Sequence, residues 1–157
     1  MSIVIIGGGV IGLSAAYHLA RKGAKDIIVL EKGEVGSGSS SRAAGIITGH
    51  LWSETGVRAR KISLQRYREL SEELDGYTFQ ASGTLNLFDA VSWKEREALL
   101  PLYDQLDVPY EVLDATEIHY RWPKLTPDTA SGIVGLYDPL GGYSEPQRYI
   151  PAIAAKA

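Results

Sequence analysis

A glycine-rich turn between an apolar strand and an alanine-rich helix is the feature that most constrains the fold of this chain. The first segment reads, in order, an apolar run at 3–6, the turn Gly7-Gly8-Gly9-Val10-Ile11-Gly12, a helical stretch to Lys22, and a second apolar run at 27–30 followed by Glu31. This order is typical of a βαβ unit that binds an adenine dinucleotide: a strand, a glycine loop, a helix, a second strand and an acid at its end. The pattern predicts an α/β fold that opens with a Rossmann-like unit.

Each glycine of the motif has its own expected role. Gly7 makes the tight turn out of the strand, Gly9 lets the backbone approach a pyrophosphate, and Gly12 lets the helix pack closely on the sheet. The phosphates are then expected at the helix N-terminus, where free N–H groups and the helix dipole favour negative charge. Glu31 stands at roughly the 20-residue spacing expected of the acid that binds the ribose hydroxyls. Taken singly, the glycines could be structural turns and Glu31 a solvated carboxylate.

Composition excludes several other classes of protein. The uncharged stretch 3–20 is long enough to suggest a membrane span, but it holds four glycines and begins with β-branched residues. These features predict a strand buried on both faces instead. No basic region precedes the apolar run, so we expect no signal peptide and a cytoplasmic chain. The absence of cysteine excludes a disulfide, a cysteine-based metal site and a cysteine-linked cofactor within the chain. We predict no metal site, and a net charge of −3 gives no argument for nucleic-acid binding.

A second candidate binding segment follows Glu31. Residues 33–49 are rich in Gly, Ser and Ala, which is typical of a loop. Three consecutive serines, 39–41, stand beside Arg42. Small residues let the backbone come near a ligand, hydroxyls donate to phosphate, and an arginine neutralises it. We therefore predict that this loop contacts the ligand; the alternative is a flexible linker.

The remainder of the chain predicts alternating helices and strands. The expected elements are a long amphipathic helix at 56–74, a strand pair at 77–80 and 84–88, a helix from Ser92 with Glu95 in a capping box, a strand at 110–113, a short helix capped by Asp114 and Glu117, a strand at 132–137, and a last helix with Pro146 in its first turn.

Several segments of the chain together resemble a known family. The run 3–23 is similar to the N-terminus of the D-amino-acid oxidase family of FAD-dependent oxidoreductases, which includes glycine and sarcosine oxidases, dimethylglycine dehydrogenase and dye-linked proline dehydrogenases. Glu31-Lys32 and 39–46 resemble its second FAD loop, 82–88 resembles the strand that opens its substrate-side sheet, and 142–146 resembles the turn before its next helix. The similarity follows the chain in order over nearly its whole length.

The resemblance implies a fold and a division of the chain. A Rossmann-like FAD-binding βαβ unit would be followed by the start of a mixed α+β substrate domain, incomplete relative to the family. The expected parts are the βαβ unit and flavin loop at 1–49, the long helix at 50–76, the start of the substrate-side segment at 77–145, and a helix returning toward the FAD domain at 146–157.

The same resemblance implies the residues that bind FAD. The glycine loop would hold the pyrophosphate, Glu31 the adenosine ribose, and the serine-rich loop the diphosphate, ribityl chain and flavin edge. The residues so assigned are Gly7, Gly9, Val10, Ile11, Gly12, Glu31, Lys32, Ser40, Ser41, Arg42, Ala43, Ala44, Gly45 and Ile46. In dimethylglycine-dehydrogenase-like members a histidine before Ala-Ala-Gly carries the flavin covalently. Arg42 stands there in this chain, which implies non-covalent FAD.

For the complete assembly, the implied reaction is oxidation of an amino acid or secondary amine by hydride transfer to flavin, followed by hydrolysis of the imine. Family members are much longer, and their main substrate-anchoring residues lie largely beyond the equivalent of Ala157. The chain therefore looks like an N-terminal portion whose open sheet edge would pair with a partner chain or a second copy. We assign no catalytic residue: His50 is the nearest candidate, and a structural histidine is the favoured interpretation.

Two alternatives stay open. An NAD-linked Rossmann dehydrogenase would continue with further βα units soon after Glu31, whereas the sequence continues with a loop and a long helix. A non-catalytic fragment or subunit would require a partner chain. The substrate, the electron acceptor and the oligomeric state are not predicted.

Overall fold

The computed structural model describes residues 2–127 and 132–157. It has the mixed α/β architecture expected from the sequence, arranged in two compact units. The first unit contains Met1–Ile46, Tyr67–Gln80 and Tyr143–Ala157, and the second contains Ile47–Arg66 and Ala81–Gly142. No helix in the described ranges combines the length and the apolar character needed to cross a membrane.

The first unit opens with the expected βαβ arrangement. Strand β1 (Ile3–Ile6) and strand β2 (Ile27–Leu30) pair in parallel, with Ile3 opposite Ile27 and Ile6 opposite Leu30. Helix α1 (Val10–Arg21) connects them and packs against both. The prediction of a Rossmann-like unit is confirmed.

One face of this two-stranded sheet is exposed, contrary to the expectation of strands buried on both faces. Burial alternates along both strands. The outward side chains Val4, Ile6, Ile28 and Leu30 are 55%, 88%, 47% and 53% exposed. The expectation is wrong for this chain because the part that the structure describes covers only the face on which α1 lies. We call these four side chains the exposed β1–β2 face.

The rest of the first unit surrounds α1. Helix α6 (Pro146–Ala154) packs against α1 and against the 3₁₀ turn Ser39–Arg42. Pro146 lies in the first turn of α6, as predicted, because a proline there loses no helical hydrogen bond. The C-terminal end of helix α2 (Glu54–Glu73) also belongs to this unit. The two-residue strands β3 (Ile46–Ile47) and β7 (Gly142–Tyr143) occur where the chain passes between the units.

The second unit contains a three-stranded antiparallel sheet. Its order is β4 (Thr84–Phe88), β6 (Val134–Asp138), β5 (Glu111–Leu113). Besides the start of α2, the described residues of this unit form the helices α3 (Ala90–Glu97), α4 (Leu100–Gln105) and α5 (Ala115–Arg121). One buried apolar cluster in this unit contains Val57, Tyr103, Leu106, Val108 and Leu136.

Two local predictions for this part of the chain are wrong. Residues 77–80 do not pair with β4: the partner of β4 is β6, and Gln80 instead forms a single bridge with Tyr143. Helix α3 starts at Ala90 rather than Ser92, because the Asp89 carboxylate caps it by accepting hydrogen bonds from two backbone N–H groups, 3.1 and 2.7 Å away.

The capping box predicted for α5 is confirmed. The Asp114 carboxylate accepts from the Glu117 N–H at 2.8 Å, and the Glu117 carboxylate accepts from the Asp114 N–H at 2.9 Å. Helix α5 ends at Arg121, before Pro123, because a proline disfavours helical geometry in the residue that precedes it.

Candidate functional site

The glycine loop joins β1 to α1 with backbone that only glycine accommodates. Gly7 has a φ of +105°, in the region that disfavours other residues, and its N–H donates to the Leu30 carbonyl at 2.7 Å. A Cβ on Gly12 would collide with the Gly7 carbonyl oxygen. The first turn of α1 therefore lies directly against the end of β1.

Glu31 turns back onto this loop. Its carboxylate accepts hydrogen bonds from the Gly8 N–H at 2.8 Å and from the Gly33 N–H at 3.0 Å. The hydrogen bond from Gly8, followed by that from Gly33, lowers the pKa of Glu31. The carboxylate is therefore ionised at neutral pH and retains lone pairs that can accept from the hydroxyls of a sugar.

The serine-rich loop also reaches the glycine loop. Ser40 Oγ accepts from the Val10 N–H at the start of α1, at 3.0 Å, and a Cβ on Gly9 would lie 3.1 Å from that oxygen. Behind it, the Gly36 N–H donates to the Gly8 carbonyl at 2.9 Å. The two predicted binding segments thus meet at the N-terminus of α1, although they lie far apart in sequence.

The structure places the remaining predicted residues nearby but less specifically. Gly45, with a φ of +72°, accepts at its carbonyl from the Ser144 N–H at 2.9 Å. Ser41 donates to the Gly38 carbonyl at 3.1 Å, inside its own loop. The other predicted residues are exposed: Ile11, Lys32, Arg42, Ala43, Ala44 and Ile46.

Sequence reasoning missed two residues that shape this site. Gly36 has a φ of +77°, and a Cβ there would lie 2.6 Å from Ile150 Cγ2 of α6. Ser144 packs so closely on Gly45 that a Cβ on Gly45 would strike its carbonyl oxygen. Both contacts are made by residues in α6 or next to it, which are about 100 residues away in sequence. A local sequence pattern therefore cannot predict them.

A buried polar cluster occupies the second unit. Asp138 is 1% exposed, and its carboxylate accepts from the Thr48 hydroxyl at 2.8 Å and from the Gly49 N–H at 2.7 Å. Its other oxygen accepts from the Leu140 and Gly141 N–H groups, at 2.9 and 3.0 Å. This carboxylate fixes the chain segment that follows the serine-rich loop, and no motif in the sequence marks it.

His50, the nearest candidate base, lies in the same unit and is 3% exposed. Its ring stacks on Tyr103 with centroids 5.1 Å apart, and Nε2 lies 3.0 Å from the Pro109 carbonyl oxygen. Burial lowers the pKa of His50, which favours the neutral ring. Nε2 carries the proton in this contact, because the Pro109 carbonyl oxygen can only accept. This environment fits the structural interpretation. Among the described residues, no group of three or more metal-ligating side chains comes together.

The burial of His50 predicts a pH dependence of stability. The pKa of His50 in the folded protein lies below the ordinary value of 6.5. As the pH falls through 6.5, the unfolded chain therefore binds more protons than the folded protein, and the folded state loses stability. We expect the Tm to fall between about pH 7.5 and about pH 5.5, and His50→Gln to reduce that fall. Thermal unfolding of both proteins at the two pH values measures it, and equal falls would contradict the assignment.

The chain is similar in sequence and in fold to known proteins. The family model described as FAD dependent oxidoreductase matches residues 2–157. Mitochondrial dimethylglycine dehydrogenase of Mus musculus is 32% identical over 98% of this chain, and glycine oxidase of Bacillus licheniformis is 37% identical over 84%. The crystal structure of L-proline dehydrogenase from P. horikoshii superposes on 99% of the chain with a TM-score of 0.89 and 31% identity.

The chain spans only part of each of these proteins. It covers 18% of the dimethylglycine dehydrogenase, 36% of the glycine oxidase and 41% of the proline dehydrogenase chain. The match nevertheless takes in both loops and α1, on which the predicted site is built. The chain therefore belongs to the FAD dependent oxidoreductase family of the D-amino-acid oxidase type, a family of flavoproteins.

Proposed function

We propose that this chain supplies the FAD-binding part of an oxidoreductase that oxidises an amino acid or secondary amine by hydride transfer to non-covalent flavin. The observation that carries the proposal is the convergence of Glu31 and Ser40 on the glycine loop at the start of α1. The names of the relatives support the substrate class, since glycine, dimethylglycine and proline are all amines bearing a carboxylate.

The residues present fit a dinucleotide. Gly9 presents no side chain at the first turn of α1, which lets the backbone there approach a pyrophosphate closely, although the Val10 N–H is already bonded to Ser40 Oγ. Ser40 accepts from Val10 and still has its own hydroxyl proton to donate to a phosphate oxygen. The ionised Glu31 carboxylate would accept from ribose hydroxyls.

FAD, when bound, supplies the two-electron acceptor for oxidation of the substrate. The contribution of this chain is binding and orientation. The exposed Arg42, at the end of the 3₁₀ turn, would add positive charge toward the diphosphate. Arg42 stands where a covalent flavin link would need a histidine, and none of the 157 residues of this chain is a cysteine that could carry the flavin.

The two alternatives are less well supported. An NAD-linked dehydrogenase would follow β2 with another helix and parallel strand, whereas β2 is followed by the 3₁₀ turn and by α2. The subunit alternative draws support from the exposed β1–β2 face, a contiguous apolar surface of the kind that marks contact with other protein. A partner chain, a second copy or further protein from a longer chain could cover it.

The test of the proposed site is the FAD affinity of a Glu31→Ala variant. Fluorescence quenching gives the dissociation constant, and the visible spectrum of the purified protein reports bound flavin. We expect Glu31→Ala to weaken FAD binding by about tenfold or more, equivalent to about 1.4 kcal/mol. Glu31→Gln keeps one carbonyl acceptor, so its FAD affinity should lie between those of the wild type and Glu31→Ala.

Glu34→Ala is the matched control. Glu34 is an exposed carboxylate three residues along the same segment, and we expect its removal to leave FAD affinity unchanged. Equal affinity in the wild type and in Glu31→Ala would refute the ribose assignment. A wild-type protein that is colourless and takes up no added FAD would refute the proposed cofactor site in this chain.

A further inference from the structure

We propose that Tyr77 and Ser144 are positioning residues for FAD, acting through Gly45. The segment concerned is the 39–46 loop, which we call the FAD loop. The inference rests on the proposed function, since it concerns how the same site is held in shape. Neither residue belongs to the glycine motif or to the FAD loop, and neither needs to touch FAD.

The first step is the contact between Ser144 and the FAD loop. The Gly45 carbonyl accepts from the Ser144 N–H at 2.9 Å, and Gly45 lies in the left-handed region with a φ of +72°. A Cβ on Gly45 would collide with the Ser144 carbonyl oxygen. The backbones are therefore in direct contact, and a shift of Ser144 displaces the C-terminal half of the FAD loop.

The second step is the contact that fixes Ser144. Its side chain is buried, and its Oγ accepts from the Tyr77 hydroxyl at 3.1 Å. Tyr77 is 2% exposed, and burial raises the pKa of its hydroxyl to about 12. The phenol is therefore protonated throughout the physiological range and acts as a fixed donor to Ser144.

The third step links this pair to the helix that would hold the pyrophosphate. The Tyr77 ring packs edge-on against Tyr149 of α6, with centroids 5.0 Å apart and planes at 71°. The Tyr149 hydroxyl lies 3.2 Å from Ser14 Oγ on α1. The FAD loop is thus tied to α1 at both ends: directly where Ser40 meets Val10, and through Ser144, Tyr77 and Tyr149 at Gly45.

The consequence is pre-organisation of the loop before FAD arrives. A loop that is already ordered loses less conformational freedom on binding, so the affinity is higher than the direct contacts alone would give. Loss of the Tyr77 hydroxyl should therefore weaken FAD binding and alter the surroundings of the bound flavin, although no atom in contact with FAD is removed.

The experiment uses the flavin-loaded protein and a Tyr77→Phe variant, which keeps the ring and removes only the hydroxyl. We expect FAD affinity to fall roughly three- to tenfold, the range that loss of one hydrogen bond produces. The visible circular dichroism of the bound flavin should also change. Tyr110→Phe is the matched control, because it removes a tyrosine hydroxyl bonded to Asp104 in the second unit, and it should leave both readouts unchanged.

Ser144→Ala provides the second variant, since it removes the acceptor but keeps the N–H that bonds to Gly45. We expect it to match Tyr77→Phe, and the double variant to lose no more affinity than either single one. Additive losses, or wild-type affinity and circular dichroism in both single variants, would overturn the inference while leaving the proposed function intact. Failure of the wild type itself to bind FAD would overturn the proposed function.

Discussion

Gly12→Ala is expected to reduce FAD affinity by about tenfold or more and to destabilise the protein by about 1–3 kcal/mol. The added Cβ would collide with the Gly7 carbonyl oxygen, so α1 has to move away from the end of β1. That movement displaces the N–H groups at the helix start from the expected pyrophosphate position. FAD titration and thermal unfolding measure the two effects.

Gly33→Ala is the control for this substitution. Gly33 lies in the segment that follows β2, and a Cβ there would meet nothing closer than 3.7 Å. We expect its stability and FAD affinity to stay close to the wild-type values. Tight FAD binding by Gly12→Ala would show that the pyrophosphate does not lie at the start of α1.

Asp138→Ala is expected to cost about 3–4 kcal/mol of unfolding free energy, which corresponds to roughly a 10 °C decrease in Tm. The carboxylate is 1% exposed, and its removal leaves the Thr48 hydroxyl and the Gly49 N–H without their acceptor inside the second unit. Buried donors without acceptors are among the few causes of effects this large. Denaturant or thermal unfolding gives the number.

Two further variants make the Asp138 result interpretable. Asp138→Asn keeps one acceptor oxygen but turns an amide NH₂ toward backbone donors, so its loss should be intermediate. Glu97→Ala removes an exposed carboxylate at the end of helix α3 and should change stability by no more than about 0.5 kcal/mol. A loss below about 1 kcal/mol for Asp138→Ala would mean that water replaces the carboxylate in this cluster.

The features that could be predicted from sequence are those with local causes. The βαβ unit follows from apolar strands that flank a glycine turn, and α5 follows from a capping box within four residues. Helix α2 runs from Glu54 to Glu73, close to the predicted 56–74, because its apolar residues recur at helical spacing and Leu64 and Leu70 are buried.

The features that could not be predicted arise from contacts between distant parts of the chain. The local pattern at 77–80 and 84–88 predicts a hairpin. In the structure β4 instead pairs along its whole length with β6, which is distant in sequence. Asp138 looks like an ordinary strand-end acid until the fold brings Thr48 and Gly49 to it. Ser144 has no motif of its own and matters only because Gly45 comes to lie against it.

The same distinction applies to the candidate site. The glycines and Glu31 could be named from spacing, and the serine-rich loop from its composition; the resemblance to the family added FAD and the roles of the individual loop residues. That Ser40 caps α1 through the Val10 N–H is a consequence of folding, because the two loops lie on different sides of β2 in sequence. All of the assigned FAD-binding residues, Lys32 and Arg42 among them, stay predictions that a cofactor-binding experiment has to test.

The exposed β1–β2 face has a thermodynamic consequence for the cofactor. Ile6 comes immediately before Gly7, and Leu30 comes immediately before Glu31, so the strand ends that carry the site also carry exposed apolar side chains. Protein that covers this face buries those side chains and makes the strand ends more rigid. Assembly and FAD binding are therefore expected to be linked: each favours the other by the same free energy, and a measured FAD affinity belongs to a stated degree of assembly.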